Sequence, residues 1–257
     1  MFQTTSCARL AAKVLAVTAL LGGPAIGQAS ASTFNVSPTQ VFLSGKASSA
    51  LLTLRNDSEE PLRFQLSVFA WDQSPSGEMT LAPTQDVVFF PALLTLAPKE
   101  ERNIRVGRVV APTNVERTYR IFVEELPSLE AVANPAASVK VLTKMGIPIF
   151  VRPAKEDTAA GITGFGAHDG AVHFTLANSG TVHFVPEHVV VRGLADGKSV
   201  FETAIPAWYV LAGGTRDFEL PLAKEDCVRA TSLQVQVAFN SSTVDQRLDL
   251  PAGSCTQ

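Results

Sequence analysis

Short runs in which apolar and polar residues alternate recur along the whole chain, and they predict β-strands rather than helices. In the run VKVLTKMGIPIFVRP (139–153), every second residue from 139 to 149 is apolar except Thr143. Pro148 has no N–H to donate, so part of this strand is expected at a sheet edge. Because a long apolar edge normally promotes aggregation, the chain needs a reason to keep one.

The first half of the chain contains seven predicted strands, separated by connectors such as QSPSGE and LAPKEE. They are residues 34–43, 50–56, 61–72, 87–90, 101–107, 117–126 and 139–153. Seven short strands in roughly 120 residues are typical of an immunoglobulin-like sandwich.

The pattern pauses at AKEDTAAG (154–161) and then restarts. Asp169-Gly170 and Asp196-Gly197 predict tight hairpins in the second half. Its predicted strands are residues 171–178, 188–193, 199–205, 216–222, 232–239 and 247–250. We therefore predict an all-β protein with two immunoglobulin-like sandwiches, at residues 32–153 and 154–257, and a boundary near residues 153–160.

The N-terminus has the pattern of a secretory signal. Arg9 and Lys13 give a basic start, an apolar stretch (14–27) follows it, and Ala29-Ser30-Ala31 offers small residues to a signal peptidase. We predict that residues 1–31 are cleaved. A short transmembrane anchor is the alternative, but the apolar stretch is broken by Gly-Gly-Pro and falls short of the about 20 residues that span a bilayer.

Charge excludes one class of partner. Cleavage would remove Arg9 and Lys13 and no acidic residue, which leaves 19 basic and 24 acidic residues and a formal charge of −5. Nucleic-acid-binding proteins usually carry a clustered basic surface, so no nucleic-acid partner is expected.

The cysteines predict one disulfide. Cys7 leaves with the signal, and Cys227 and Cys255 remain as an even pair in an oxidising compartment. A two-cysteine metal site is the alternative, although no nearby histidine completes a ligand set.

Catalytic motifs are not apparent. The sequence has no GxSxG, HExxH or phosphate-binding Gly-Lys-Ser/Thr motif. Glu124 and Glu125 are neighbours on a strand and point to opposite faces. The four histidines match no compact metal-ligand spacing: His168, His173, His183 and His188. We expect no enzyme, no cofactor and no metal site.

Several longer motifs follow one another in a specific order. They are VSPTQVFLSG, LLTLRN, FAWDQ, PALLTLAPKEERNIRV, ERTYRIFVEELP, FVRP and LANSGTVHFVPEHVVVRG, with the cysteine pair after them. In order and spacing they resemble the PapD-like periplasmic chaperones of chaperone–usher pili. The resemblance implies an L-shaped pair of domains in the periplasm, without membrane insertion, that binds pilus or fimbrial subunits and delivers them to an outer-membrane usher. A secreted structural or adhesive two-domain sandwich is the alternative.

The resemblance gives the apolar edge a function. In this family the last strand of the first domain fills the gap of an incomplete subunit, which is donor-strand complementation. It implies that Val139, Val141, Thr143 and Met145 project into the open groove of the subunit. The alternative is that these side chains line the core of their own domain.

The anchor for the subunit departs from the family pattern. Family members bind the C-terminal carboxylate of the subunit with an arginine in the first strand and a lysine in the last, and the matching positions here are Gln40 and Pro148. This departure resembles the divergent archaic or alternative branch. It leaves Arg120 and Arg105 as candidate carboxylate anchors, with a solvated strand face as the alternative for each.

A network between the domains is also implied by the resemblance. The family joins its two domains through an acid, an arginine and a second acid. Glu116 and Arg152 match the first two, and Asp226 is an approximate match for the third. Their expected role is to fix the angle between the domains.

Overall fold

The computed structural model describes residues 33–128 and 141–251, and their regular structure is almost entirely β. Two sandwiches follow one another along the chain, and each has its own hydrophobic core. The first core ends at Val151, and apolar residues packed on the second begin at Ala160. We propose on this basis that the domain boundary lies between these two residues. Residues 1–31, the predicted signal, lie outside the described residues.

The described part of the first domain forms two facing sheets. One sheet has the order β1-β3-β8-β6, and the other has the order β2-β10-β9-β4-β5 with β7 added beside β4. Only the β2–β10 pair is parallel. The strands are β1 (Phe34–Ser37), β2 (Val41–Leu43), β3 (Ser49–Asn56), β4 (Leu62–Gln73), β5 (Met79–Pro83), β6 (Val87–Phe90), β7 (Leu93–Leu96), β8 (Glu101–Arg108), β9 (Arg117–Leu126) and β10 (Lys144–Val151).

Period-two alternation decides which side chains enter this core. On β9 the side chains of Tyr119, Ile121 and Val123 are buried, and on β10 those of Ile147 and Ile149 are buried beside them. Each such side chain contributes about 1.5–3 kcal/mol by leaving water. The alternate residues of β4, β9 and β10 point away from this core, and they form the face that carries the site.

The second domain packs a three-stranded sheet, β11-β12-β15, against a four-stranded sheet, β14-β13-β16-β17. Asp169-Gly170 and Asp196-Gly197 occupy the predicted turns with positive φ at all four residues. The elements are β11 (Ala160–His168), β12 (Ala171–Asn178), β13 (His188–Ala195), β14 (Lys198–Ile205), β15 (Thr215–Pro221), α1 (Lys224–Arg229), β16 (Ser232–Phe239) and β17 (Ser242–Asp249).

The predicted all-β, two-sandwich fold is confirmed, and four elements go beyond the prediction. They are β5, β7, β11 and α1. All five residues of β5 are exposed, so the sequence shows no buried face there. The predicted strand 139–153 is described only from residue 141 onward, and there β10 begins at Lys144. None of the described helices is long and apolar enough to cross a membrane.

Candidate functional site

An aromatic cluster joins the two domains. Trp71 of β4 and Phe150 of β10 are almost fully buried against Tyr209 and Leu211 of the second domain. The Phe150 and Tyr209 rings are 5.8 Å apart, and Gln40 Nε2 donates a 2.6 Å hydrogen bond to the Tyr209 hydroxyl. Residues of both domains therefore form the floor of one cleft.

Arg120 lies in this cleft, beside the aromatic cluster. It points away from the first core because its strand neighbours Tyr119 and Ile121 point inward. Its Cζ is 4.4 Å from the ring centre of Trp71 and 4.7 Å from that of Trp208, so one wall comes from each domain. The residue is 8 % exposed.

The guanidinium of Arg120 has no acidic partner among the described residues, and it forms no hydrogen bond with any of them. The indole N–H of Trp71 is likewise buried without an acceptor. Burial lowers the pKa of Arg120, and the nearby Tyr209 acts in the opposite direction. A guanidinium keeps its charge at neutral pH. The cleft therefore presents a nearly buried cation that has no acidic partner within the described ranges, and a carboxylate is its complementary ligand.

Gly146 of β10 keeps one side of Arg120 uncovered. A Cβ atom at this position would lie 3.4 Å from Arg120 Nη1 and 2.9 Å from Cε1 of Phe122. Next along the same face, Lys144 pairs with Glu124 at 2.9 Å, and its ammonium is 5.1 Å from the Phe122 ring centre.

The edge of β10 is half paired. The strand pairs with β9 along its whole length, Lys144–Val151, but with β2 only from Ile149 to Val151. Within the described part of the chain, Lys144–Pro148 therefore has a strand partner on one side only. Pro148 lies where the β2 pairing stops, as the missing N–H predicts.

The predicted donor residues have different environments. Val139 lies outside the described residues. Val141 is 53 % exposed, and Thr143 is exposed as well. Met145 is partly buried and packs on the core of its own domain. The alternative of a core role thus applies in part to Met145, and the donor role of these residues stays a prediction.

The structure does not bring the two candidate anchors together. Arg120 belongs to β9, whereas Arg105 belongs to β8 of the opposite sheet. Arg105 is exposed and donates a 3.0 Å hydrogen bond to Ser49 Oγ. Of the two arginines, only Arg120 reaches the cleft.

The predicted network of Glu116, Arg152 and Asp226 is not formed among the described residues. Arg152 pairs with Glu156 at 3.3 Å, and its Cζ lies 4.1 Å from the ring centre of Phe42. Asp226 lies in α1 and pairs there with Arg229.

Glu116 is nonetheless a contact between the domains. Its Oε1 accepts hydrogen bonds from the Nδ1 and the main-chain N–H of His183, at 2.5 and 3.0 Å. Sequence reasoning found the acid but assigned it the wrong partner.

Cys227 in α1 is buried and disulfide-bonded. Cys255 lies outside the described residues, so its pairing with Cys227 stays a prediction. No group of three or more potential metal ligands occurs in the described ranges.

Sequence reasoning missed the second-domain side of the cleft. That side consists of Trp208, Tyr209 and His183, and it faces Trp71 and Phe150 of the first domain. One signal was available: the chain has two tryptophans, and a Trp-Tyr pair stands in the otherwise unassigned stretch PAWYV (206–210).

Comparisons with known proteins agree with this architecture. Residues 33–156 match the family model described as pili and flagellar-assembly chaperone, PapD N-terminal domain. Comparison with curated protein sequences finds no match.

Solved structures match over both domains. One is the CsuC–CsuE chaperone–tip adhesion subunit pre-assembly complex from archaic chaperone-usher Csu pili of Acinetobacter baumannii, with 17 % identity, coverage of 84 % of this chain and 97 % of that chain, and a TM-score of 0.57. Another is the class 5 fimbriae chaperone CfaA, with 13 % identity, coverage of 85 % and 100 %, and a TM-score of 0.58. A third is the Salmonella enterica SafA pilin in complex with the SafB chaperone, with 17 % identity, coverage of 85 % and 96 %, and a TM-score of 0.56. At these identities the matches show a shared fold.

Proposed function

We propose, from the match of residues 33–156 to the family model of pili and flagellar-assembly chaperones, that the chain is a member of this PapD-type family and a periplasmic chaperone for pilus subunits. It acts without catalysis: it caps a subunit by donor-strand complementation and passes it to an outer-membrane usher. Its place in the archaic or alternative branch is part of the same proposal.

The half-paired edge of β10 carries this proposal. Along Lys144–Ile147, the main-chain N–H and C=O groups that point away from β9 have no strand partner in the described part of the chain and are available for a ladder with an incomplete sandwich. Val141 is exposed just before the strand, and its burial in the groove of a subunit contributes about 1.5–3 kcal/mol. Main-chain pairing tolerates different subunit sequences, and the alternating side chains add selectivity.

Arg120 is the proposed anchor for the C-terminal carboxylate of the subunit. A carboxylate in the cleft would pair with a cation that has no other acidic partner among the described residues. Such a charge-assisted, potentially bidentate pair fixes register, because it places the end of the subunit at one point along β10. This arrangement compensates for the neutral residues Gln40 and Pro148.

The experiment is co-expression of Val141→Asp with a pilin-type subunit that the wild-type chain captures, followed by purification from the periplasm. The aspartate places an unpaired charge in an apolar groove, which costs several kcal/mol, so captured subunit should fall at least about tenfold. Val109→Asp is the matched control, because Val109 is 62 % exposed and lies away from β10. Full capture by Val141→Asp in a folded protein would refute the donor-strand proposal.

A further inference from the structure

We propose that His183 is a positioning residue that holds the two domains in the orientation required for subunit capture, through its buried pair with Glu116. The inference rests on the proposed chaperone function and adds a residue that aligns the cleft without touching the subunit.

Burial makes this pair a strong constraint. The Glu116 side chain is fully buried, and that of His183 is 10 % exposed. A carboxylate oxygen accepts hydrogen bonds, so Nδ1 of His183 carries the proton. Without the His183 imidazole, the buried Glu116 carboxylate would keep one hydrogen bond from the described residues, donated by the main-chain N–H of residue 183. An under-satisfied buried charge is costly.

The His183 ring makes a second contact with the first domain. It stacks on Phe150 with ring centres 3.6 Å apart and an interplanar angle of 13°. Phe42 stacks more distantly, at 6.5 Å. Phe150 belongs to β10, so this histidine contacts the strand that is proposed to complement the subunit.

His183 is coupled to the wall of the Arg120 site through the main chain. Its neighbour Phe184 pairs with Val210 by two main-chain hydrogen bonds of 2.9 and 3.2 Å. Trp208 and Tyr209 directly precede Val210 in the sequence, and Trp208 forms one wall around Arg120. A change at His183 would therefore move the second-domain wall away from Arg120.

The chain contains its own probe for this movement. Its two tryptophans, Trp71 and Trp208, both lie at the junction with ring centres 5.6 Å apart. Their fluorescence emission and quenching by acrylamide report the opening of the cleft in the absence of any subunit.

The test uses two substitutions in the full chain. His183→Phe keeps a ring on Phe150 and removes the donor to Glu116, whereas His183→Asn keeps a side-chain donor and removes the ring. His188→Phe is the control, because His188 is exposed at the start of β13. We expect His183→Phe to shift the emission to longer wavelength with an unchanged circular dichroism spectrum. If the competent orientation drops to about one tenth, capture of the co-expressed pilin falls about tenfold.

Adding Glu116→Gln to His183→Phe should restore part of the emission and of the capture, because an unpaired amide costs less than an unpaired carboxylate. Wild-type emission and capture in His183→Phe, or equal losses in His188→Phe, would overturn the proposal. If His183→Phe does not fold, a folded His183→Asn with wild-type acrylamide quenching supports the positioning role of His183. Loss of folding in both variants contradicts that role and assigns His183 to stability alone. Failure of the wild-type chain to capture pilin would instead refute the proposed function, and the tryptophan readout would still decide the role of His183.

Discussion

The Arg120 guanidinium is nearly buried and has no acidic partner among the described residues. Two tryptophan rings face its guanidinium at 4.4 and 4.7 Å. Each cation–π contact of this kind contributes about 0.5–2 kcal/mol, which offsets part of the desolvation cost. The rings also hold the guanidinium plane in place before a ligand arrives, so little side-chain entropy is lost on binding.

Replacement of Arg120 by alanine should lower subunit capture while the free protein stays folded. The carboxylate of the subunit would then enter the cleft without a cation, a loss of about 2–5 kcal/mol. Arg105→Ala is the control, because Arg105 lies on the opposite sheet. Gln40→Ala should lower capture less than Arg120→Ala, because it removes one hydrogen bond between the domains and no charge from the cleft. Co-purified subunit is measured for all three, and loss in Gln40→Ala alone would restore the first-strand position as the anchor.

Tyr119 makes the free energy of unfolding depend on pH in the alkaline range. Burial, and then the 2.8 Å hydrogen bond to Asp86, raise its pKa from the ordinary 10.0 to about 12. The folded state therefore holds the phenol proton more tightly than the unfolded state. This contribution, roughly 3 kcal/mol at 1.4 kcal/mol per pH unit, is complete below pH 10 and lost as the pH rises to about 12.

The free energy of unfolding of Tyr119→Phe, measured by denaturant titration from pH 8 to 12, should fall less steeply above pH 10 than that of the wild type. Parallel pH profiles of the two proteins would contradict this assignment, since all other titrating groups are shared.

Single residues were predictable from sequence where alternation decides their direction. The inward Tyr119 and Ile121 imply an outward Arg120, and the structure places it so. Partners across the junction were not predictable, because His183 lies 67 positions from Glu116 and no local pattern links them. The incorrect network of Glu116, Arg152 and Asp226 has the same cause.

At the scale of elements, the two parts of β10 have different roles. Its C-terminal part, Ile149–Val151, is paired on both sides and belongs to the core, whereas Lys144–Pro148 is paired on one side. Lys144 on the outward face and Pro148 at the transition are features that protect an exposed edge. The apolar alternation that predicted this strand therefore runs through both parts, the proposed binding segment Lys144–Pro148 and the core segment Ile149–Val151.

Several strands with a half-buried face were predicted closely, although β7, whose residues also alternate in burial, was missed. The strands β4, β8, β9 and β12 match their predicted runs closely because apolar residues recur at every second position. In contrast, β5 is exposed throughout, and β11 contains three glycines within Gly161–Gly166. Pairing with a neighbouring strand determines such segments, and their own sequence carries little signal.

The β4–β5 hairpin provides a second prediction at this scale. Gly77 has a φ of +87°, and a Cβ there would lie 1.0 Å from Nη1 of Arg216 in the second domain. The main-chain N–H of Asp217 also donates to Pro75 O at 2.8 Å. In Gly77→Ala, the positive φ should cost about 1–2 kcal/mol of unfolding free energy. The added Cβ should also displace Arg216, which lowers the unfolding free energy further.

Gly170→Ala is the matched control for Gly77→Ala, because its φ is +71° and nothing lies within 4 Å of the added Cβ. We expect a larger loss in unfolding free energy for Gly77→Ala, and a difference that disappears in an Arg216→Ala background. Equal losses for the two glycine variants would show that Arg216 contributes nothing at this contact.

At the scale of the whole molecule, the contacts between the domains in the described part of the chain include three hydrogen-bonded pairs. They are Gln40 with Tyr209, Glu116 with His183, and the β4–β5 hairpin with β15. Together with the aromatic cluster they arrange β10, Arg120 and Trp208 along one cleft. Alternation predicted two sandwiches, whereas their contacts depend on residues distant in sequence and became visible only in the structure.

Amide hydrogen exchange of the chaperone with and without bound pilin tests donor-strand complementation most directly. If β10 completes the subunit, the amides from Val141 to Ile147 should exchange at least about tenfold more slowly in the complex, because new ladder hydrogen bonds protect them. The edge strand β17 should exchange at the same rate in both states. A stable complex in which Val141–Ile147 exchanges as fast as in the free protein would contradict the account.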